Sequence, residues 1–198
     1  PTGLHLGLGV NVVATSRNFT QGSLQQTHNH LDVAIDGNGF FEVQMPDGTT
    51  GYTRDGTFKL DAQGRIVTAG GLPIAPGLTV PQDAKAISIS QTGQVSVTVP
   101  GNAQPQQIGQ LSMSSFINSA GLEPVGQNLF KESAASGAPQ QGQPGTNELG
   151  IIRQGFLENS NVNVVEELVS MIETQRAYEM NSKAISTSDQ MLAKLSQL

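Results

Sequence analysis

The sequence predicts a mainly β chain that ends in one long α-helix. Two observations carry this. Between residues 31 and 132, short alternating apolar runs are separated by Asx-Gly and Gln-Gly turns at intervals of about eight to ten residues, the pattern of an antiparallel meander. From Val162 to Leu198 there is no Gly or Pro, and an apolar residue recurs every seven positions. A third observation separates the two regions: residues 133–150 are mostly Ala, Ser, Gly, Pro and Gln, the composition of a linker or exposed loop.

The elements follow in order. Residues 1–30 have no helical period; Val10, Val12 and Ala14 alternate with polar residues, and Gly3, Gly7, Gly9 and Gly22 oppose a helix, so an extended N-terminal arm is expected. The β region, 31–132, opens with Leu31, Val33 and Ile35 alternating with Asp32, Ala34 and Asp36. Turns are expected at Asp36-Gly37-Asn38-Gly39, Asp47-Gly48, Asp55-Gly56 and Gln63-Gly64, where glycine supplies the positive φ of tight hairpins. A further hairpin joins Ile87 and Ile89 to Val95, Val97 and Val99 across Gln91-Thr92-Gly93, and Ile108, Leu111 and Met113 suggest one more strand. Residues 133–160 read as a linker followed by a connector strand at Ile151–Leu157.

The helix is expected over 161–198. Asn163 followed by Glu166 resembles a capping box, and Glu166 and Glu167 place negative charge in the first turn. Val164, Met171, Tyr178, Ile185 and Leu192 form the seven-residue row; Leu168 and Ile172 widen it at one end, and Ala184, Met191, Leu195 and Leu198 at the other. A helix of roughly 33 residues is about 50 Å long and outreaches a β domain of about 100 residues. Its C-terminal half therefore needs a partner, other chains or a missing segment, the alternative being a helix folded along its own domain. Gln175, Ser182 and Asp189 interrupt the second row, which argues against a plain two-stranded zipper.

Composition excludes several functions. The chain has 198 residues, a net charge of −6 and no Cys, with 23 Gly and 20 Gln. No Cys means no disulfide, no thiolate metal site and no thiol catalysis. The negative charge disfavours nucleic acid, whose phosphates need clustered Lys and Arg. No apolar run approaches the ~18 residues that span a bilayer, so no membrane insertion is expected. Within the sequence no basic stretch leads into an apolar one, so no secretory signal of the Sec type is visible.

Candidate chemistry is sparse. His28-Asn29-His30 puts two imidazoles on one face if extended, but His5 is the only other histidine. Asp36 to Asp47 has a hint of calcium-loop spacing but lacks the ligands of that pattern. Gly7-x-Gly9 lacks the context of a dinucleotide loop, and no P-loop or Gly-x-Ser-x-Gly elbow is present. Asp32, Asp36, Asp47, Asp55 and Asp61 sit in or beside turns, where Asp has its own structural reason. A carbohydrate-active enzyme built on such carboxylates, or a cell-surface binding module, is the rival reading; no enzyme activity and no cofactor or metal are expected.

Three stretches together resemble one family. They are Leu31-Asp32-Val33-Ala34-Ile35-Asp36-Gly37-Asn38-Gly39-Phe40-Phe41, then Tyr52-Thr53-Arg54-Asp55-Gly56-Thr57-Phe58 running on to Gly71, and Ser160-Asn161-Val162-Asn163 continuing through Gln175-Arg176-Ala177-Tyr178-Glu179 to Lys183. In order and spacing they resemble the bacterial flagellar rod and hook axial proteins, and the ending is most similar to the distal-rod members. Hook members carry a large inserted outer domain for which this chain has no room; a proximal-rod or hook-type subunit is the alternative within the family. The resemblance implies an outer antiparallel β domain, an extended connector and terminal helices pairing in an inner coiled-coil layer, of which this chain's long helix is the C-terminal one. It implies a subunit exported through the flagellum's own type III channel, polymerising into a helical tube across the periplasm that transmits torque from motor to hook. The implied partners are other copies of itself, the proximal rod and hook proteins, and the surrounding periplasmic and outer-membrane rings. Family members begin with an N-terminal helix before the point where this chain starts, so Pro1 is expected to open a shortened chain. The residues expected to carry self-assembly are Val164, Leu168, Met171, Ile172, Tyr178, Ile185, Met191, Leu192 and Leu195.

Overall fold

The computed structural model describes residues 17–101 and 104–195. It divides into two compact units, Pro1–Asn159 and Ser160–Leu198. The expected strand at Val10–Ala14, His5 and the last three residues lie outside the described residues.

The first unit is β throughout. β1 (Leu24–Gln26) runs antiparallel to residues 156–158. β2 (Val33–Asp36) pairs with residues 151–154, not with the strand that follows it. The expected hairpin at Asp36-Gly37-Asn38-Gly39 is therefore a corner, by which the chain leaves one sheet and enters another as β3 (Phe40–Gln44). Backbone approach explains it: Gly37 has φ +117°, and a Cβ there would lie 2.8 Å from the Gly150 Cα. Only glycine allows that contact at that φ.

β3 and β4 (Thr50–Thr53) do form the expected hairpin, with Asp47 Oδ1 accepting the Thr49 N–H at 2.9 Å. Asp55-Gly56 is a second corner. β5 (Lys59–Leu60) pairs only with β6 (Ile66–Val67), across the expected turn at Gln63-Gly64. β7 (Ala86–Ile89), β8 (Gln94–Thr98) and β9 (Gln106–Gln110) make a three-stranded antiparallel sheet. The segment expected to hold one strand near Met113 thus holds two, since β10 (Met113–Ser115) crosses over to pair with β3.

β11 (Glu123–Gly126) and β12 (Leu129–Lys131) form a hairpin that the turn signals did not mark. Its turn puts Gln127 and Asn128 at φ 52° and 60°, positions usually announced by glycine. The stretch 133–150, expected as a linker, belongs to the β unit. β13 (Gln140–Gly142) pairs with β10 and closes the central sheet in the order β11-β12-β4-β3-β10-β13. Ser136 and Leu149 are buried, Ser136 through its own hydrogen bonds with Ser133. Its small residues serve tight turns inside a packed unit. β14 (Ile151–Gln154) and β15 (Phe156–Glu158) return to β2 and β1.

The core has two parts because the central sheet is covered on both faces. Successive strand residues point to opposite sides. On β3, Phe41 enters the main cluster with Val33, Ile35, Phe58, Met113 and Ile152. Its neighbour Phe40 enters an aromatic cluster with Tyr52, Phe116 and Leu122, flanked by Phe19 and Phe130. The rings meet edge to face, Tyr52 with Phe116 at 4.8 Å and Phe41 with Phe58 at 5.1 Å, the arrangement ring quadrupoles favour.

The second unit contains α1 (Val164–Leu195), a single helix of 32 residues.

Candidate assembly surface

α1 starts where the sequence says it should. Asn163 Oδ1 accepts the Val165 N–H at 3.2 Å, satisfying one of the orphan donors of the first turn. Glu166 and Glu167 then lie at the positive end of the helix dipole. Hydroxyls inside the helix bond back to it, Thr174 to the Ser170 carbonyl and Thr187 to the Lys183 carbonyl, both at 2.8 Å. Nothing breaks the helix before Lys194 and Leu195.

Eight of the nine residues singled out above are large and exposed on α1, from Ile172 at 49% to Tyr178 at 75%. Leu195 is its last residue. They do not form one continuous stripe. At ~100° per residue, Val164, Val165, Leu168, Val169, Met171 and Ile172 share one side of the first three turns. Glu166, Glu167, Ser170, Glu173 and Thr174 occupy the opposite side. Beyond Arg176 the sides exchange. Tyr178, Met180, Ala184, Ile185, Met191 and Leu192 lie where the acids lay, and Arg176, Glu179, Lys183, Gln190 and Lys194 lie where Leu168 and Ile172 lay. Averaged over its length, α1 shows almost no preferred apolar face, because its halves cancel. The seven-residue row is real but drifts by ~20° per heptad. The residues that widen it do so on opposite flanks in the two halves. Val165, Val169 and Met180 are exposed members of these faces that the heptad reading passed over.

A second feature orders the strands at the end of the β unit. Arg54, just after β4, donates from Nε to Glu158 Oε2 at 3.0 Å and from its two terminal nitrogens to the carbonyls of Gly39 and Gly37, each at 3.1 Å. Its guanidinium also sits 5.9 Å from the centre of the Phe40 ring. Glu158 Oε1 accepts the Gly22 N–H at 2.9 Å. The planar fork thus ties the corner at Gly37–Gly39 to β15 and to the segment that leads into β1, a geometry Lys cannot copy. The motif containing Arg54 was legible; its partner 104 residues away was not.

Elsewhere the polar residues do structural work. Asp55 and Asp61 cap their own turns, Asp36 pairs with Arg153 at 2.7 Å and Asp47 with Lys131 at 2.8 Å. The Lys131 ammonium and the Thr49 turn hold the Asp47 carboxyl well below the usual carboxylate range. Glu42, which falls inside the calcium-like spacing, is buried and accepts from the Ser114 hydroxyl. His28 has φ 61° and so is not in the extended geometry that two-histidine ligation would need. Among the described residues no group of three His, Asp or Glu gathers as a metal site. No described helix is long and apolar enough to cross a membrane.

Comparison with known proteins agrees with this architecture. The family described as flagellar hook protein FlgE/F/G D1 domain matches residues 34–97. The family described as flagellar basal body rod FlgEFG protein C-terminal matches residues 153–198. The chain is 55% identical over its whole length to the flagellar basal-body rod protein FlgG of Buchnera aphidicola subsp. Acyrthosiphon pisum, covering 76% of that protein. It is 48% identical to FlgG of Borreliella burgdorferi over 97% of this chain and 73% of that one, and 40% identical to FlgG of Bacillus subtilis over 96% and 73%. Over 175 residues, 85% of this chain, it is 36% identical to the flagellar basal-body rod protein FlgF of Caulobacter vibrioides. With a β unit matching the one family model and α1 inside the other, the chain belongs to the flagellar basal-body rod proteins, structural subunits of the rod in the bacterial flagellar basal body.

Proposed function

We propose that the chain polymerises through α1 into the helical tube of the distal rod and transmits torque from motor to hook, with proximal rod and hook proteins at its ends and ring proteins around it. The observation that carries this reading is a 32-residue helix whose large apolar side chains are about half exposed or more. Isolated helices of ordinary composition are marginal in water, and most helical stability comes from packing of an apolar face. An exposed area of this size marks an interaction surface. The β unit supplies a stiff body, cored on both faces of its central sheet. The work is mechanical and uses no catalytic step: torque passes through many lateral contacts instead of one site.

The test is the double substitution Tyr178→Asp with Ile185→Asp in the full chain. Loss of tubes in electron micrographs and of motility is expected, with the β unit's thermal transition unchanged. Normal tubes from the double variant would refute the assignment of α1 to assembly.

A further inference from the structure

We infer that Asn38–Gly39 is a self-modifying site: in the unfolded chain it converts to isoaspartate, and in the folded β unit a clamp of hydrogen-bonded carbonyls holds it unreacted. This stands on the corner between β2 and β3 and is independent of how α1 assembles.

The pair is the only Asn-Gly in the 198 residues. Asparagine followed by glycine is the least obstructed setting for side-chain cyclisation, because glycine has no Cβ in the path of attack and turns freely when unfolded. The Gly39 backbone nitrogen loses its proton to base and attacks the Asn38 side-chain carbonyl carbon. A C–N bond forms to the backbone, the bond to the side-chain nitrogen breaks, and ammonia leaves with a returned proton. The product is a five-membered cyclic imide. Water then opens either carbonyl of the ring. One opening gives aspartate at position 38. The other gives isoaspartate, whose backbone runs through the former side chain and is one carbon longer.

The fold requires the labile pair and restrains it. Gly39 has φ +131°, and a Cβ there would stand 2.6 Å from Met113 Cε and 3.2 Å from Leu149 Cδ2, so no bulkier residue fits. Asn38 is exposed, so water and base reach its side chain. The restraint is therefore in the backbone. Ring closure needs the Asn38–Gly39 peptide to turn about the Asn38 Cα–C bond. The carbonyl of that peptide accepts the Gly150 N–H at 2.7 Å. The carbonyls of Gly37 and Gly39, on either side, accept from the two terminal nitrogens of Arg54, each at 3.1 Å. The Gly37 N–H is held in turn by Gln21 Oε1 at 3.0 Å. Three consecutive carbonyls are thus fixed, and turning the middle peptide breaks the Gly150 bond and moves Gly39 within a packed site.

The product does not fit the same corner. Gly37 lies so close to Gly150 that a Cβ on it would meet the Gly150 Cα at 2.8 Å. An extra backbone carbon between Gly37 and Phe40 shifts β2 against β3, so the β2–β14 and β3–β10 pairings cannot both be remade. Chains that stay unfolded mark themselves, and the mark keeps them out of the folded pool.

The test incubates the chain at mildly alkaline pH, folded in buffer and unfolded in concentrated urea. Peptide mapping by mass spectrometry reads the mass gained when the amide becomes an acid, which the neighbouring Asp-Gly pairs do not show. In urea, Asn38 is expected to convert at least tenfold faster than Asn118, Asn159 and Asn181, each followed by Ser. Folding should slow Asn38 at least tenfold. Arg54→Ala should then raise the folded rate at least fivefold, without dependence on urea below the unfolding transition, because the opening is local. Should that variant not fold, Arg54→Lys, which keeps the charge without the fork, is read in its place. Chains held in urea and refolded should yield a folded fraction depleted of isoaspartate at position 38, whereas Asn38→Asp folds. Equal rates at Asn38 and the Asn-Ser sites in urea overturn the inference, as does a folded rate equal to the unfolded one. A folded rate that rises with urea in step with global unfolding, in parent and variant alike, shows that overall stability and not the clamp protects Asn38 and also overturns it. Isoaspartate as abundant in the folded fraction as in the unfolded one refutes the exclusion.

Discussion

Replacing Arg54 by Ala removes the group that ties β15, and through it β1, to the corner that enters the central sheet. The loss follows from three donor bonds. The ion pair with Glu158 is largely shielded, with side-chain exposures of 16% and 13%. A hydrogen bond to a charged group contributes about 1.5–3 kcal/mol and a neutral one about 1 kcal/mol. Truncation also takes the guanidinium from the Glu158 carboxylate, which keeps the Gly22 N–H, and uncovers the carbonyls of Gly37 and Gly39. Residual solvent access softens this, so the expected loss is about 3 kcal/mol, the lower end of the roughly 3–5 kcal/mol seen when a fully buried pair is broken. Arg54→Lys keeps the charge but not the fork, and about half the loss is expected.

Urea unfolding measures the stability, and a double-mutant cycle with Glu158→Gln isolates the pair, with a coupling of about 1–2 kcal/mol expected. Hydrogen exchange locates the effect. The amides of Thr27 and Asn159, which donate across the β1–β15 pair to Gly155 and Ser23, should lose protection before those of β3 and β4. A loss below 1 kcal/mol for Arg54→Ala, or exchange that rises uniformly across the unit, would refute the pin.

Three further outcomes test the same structure. Gly56→Ala places a Cβ 1.5 Å from the Val33 carbonyl oxygen and should cost about 3 kcal/mol or more by thermal unfolding, whereas Gly48→Ala, with open space but φ +80°, should cost about 1–2 kcal/mol. Phe41→Ala empties a fully buried site and should cost about 3–5 kcal/mol in urea, with the slope against urea unchanged. Burial, with the Glu132 and Glu42 carboxylates nearby, pushes the Tyr52 phenol up to about 12 from 10.0. The folded state thus favours the neutral phenol: the stability it contributes is complete below pH 10 and is lost as pH rises through 12. In a Tyr178→Phe background, where Tyr52 is the only phenol, ultraviolet titration should show a midpoint near 12, and a midpoint near 10 in folded protein rejects the burial argument.

What could be read from the chain was whatever depends on nearest neighbours. The turns at Asp47-Gly48, Gln63-Gly64 and Gln91–Gly93 are hairpins in the structure because a two- or three-residue loop decides its own closure. The helix was legible in its cap, its length and its lack of breakers. Asp36–Gly39 and Asp55-Gly56 show the limit. They have the same residues as hairpin turns, but their glycines answer to backbone from elsewhere, Gly150 in one case and Val33 in the other. Sequence spacing holds no record of that approach. The hairpin at Gln127-Asn128 was missed for the converse reason: a left-handed pair was built without glycine. On α1, a heptad count finds the row at Val164, Met171 and Tyr178 but cannot see that its flanks exchange, because a period reports recurrence and not direction.

The two units differ in how they are stabilised, and that difference orders the steps of assembly. The β unit contains its own core and its own satisfied polar groups. α1 has a cap, a few local bonds and two bare faces. Ordering a residue's backbone costs about 1–2 kcal/mol, and local bonds alone leave a helix marginal. The helicity of α1 therefore depends on what covers it, and the ordering cost falls on the association step.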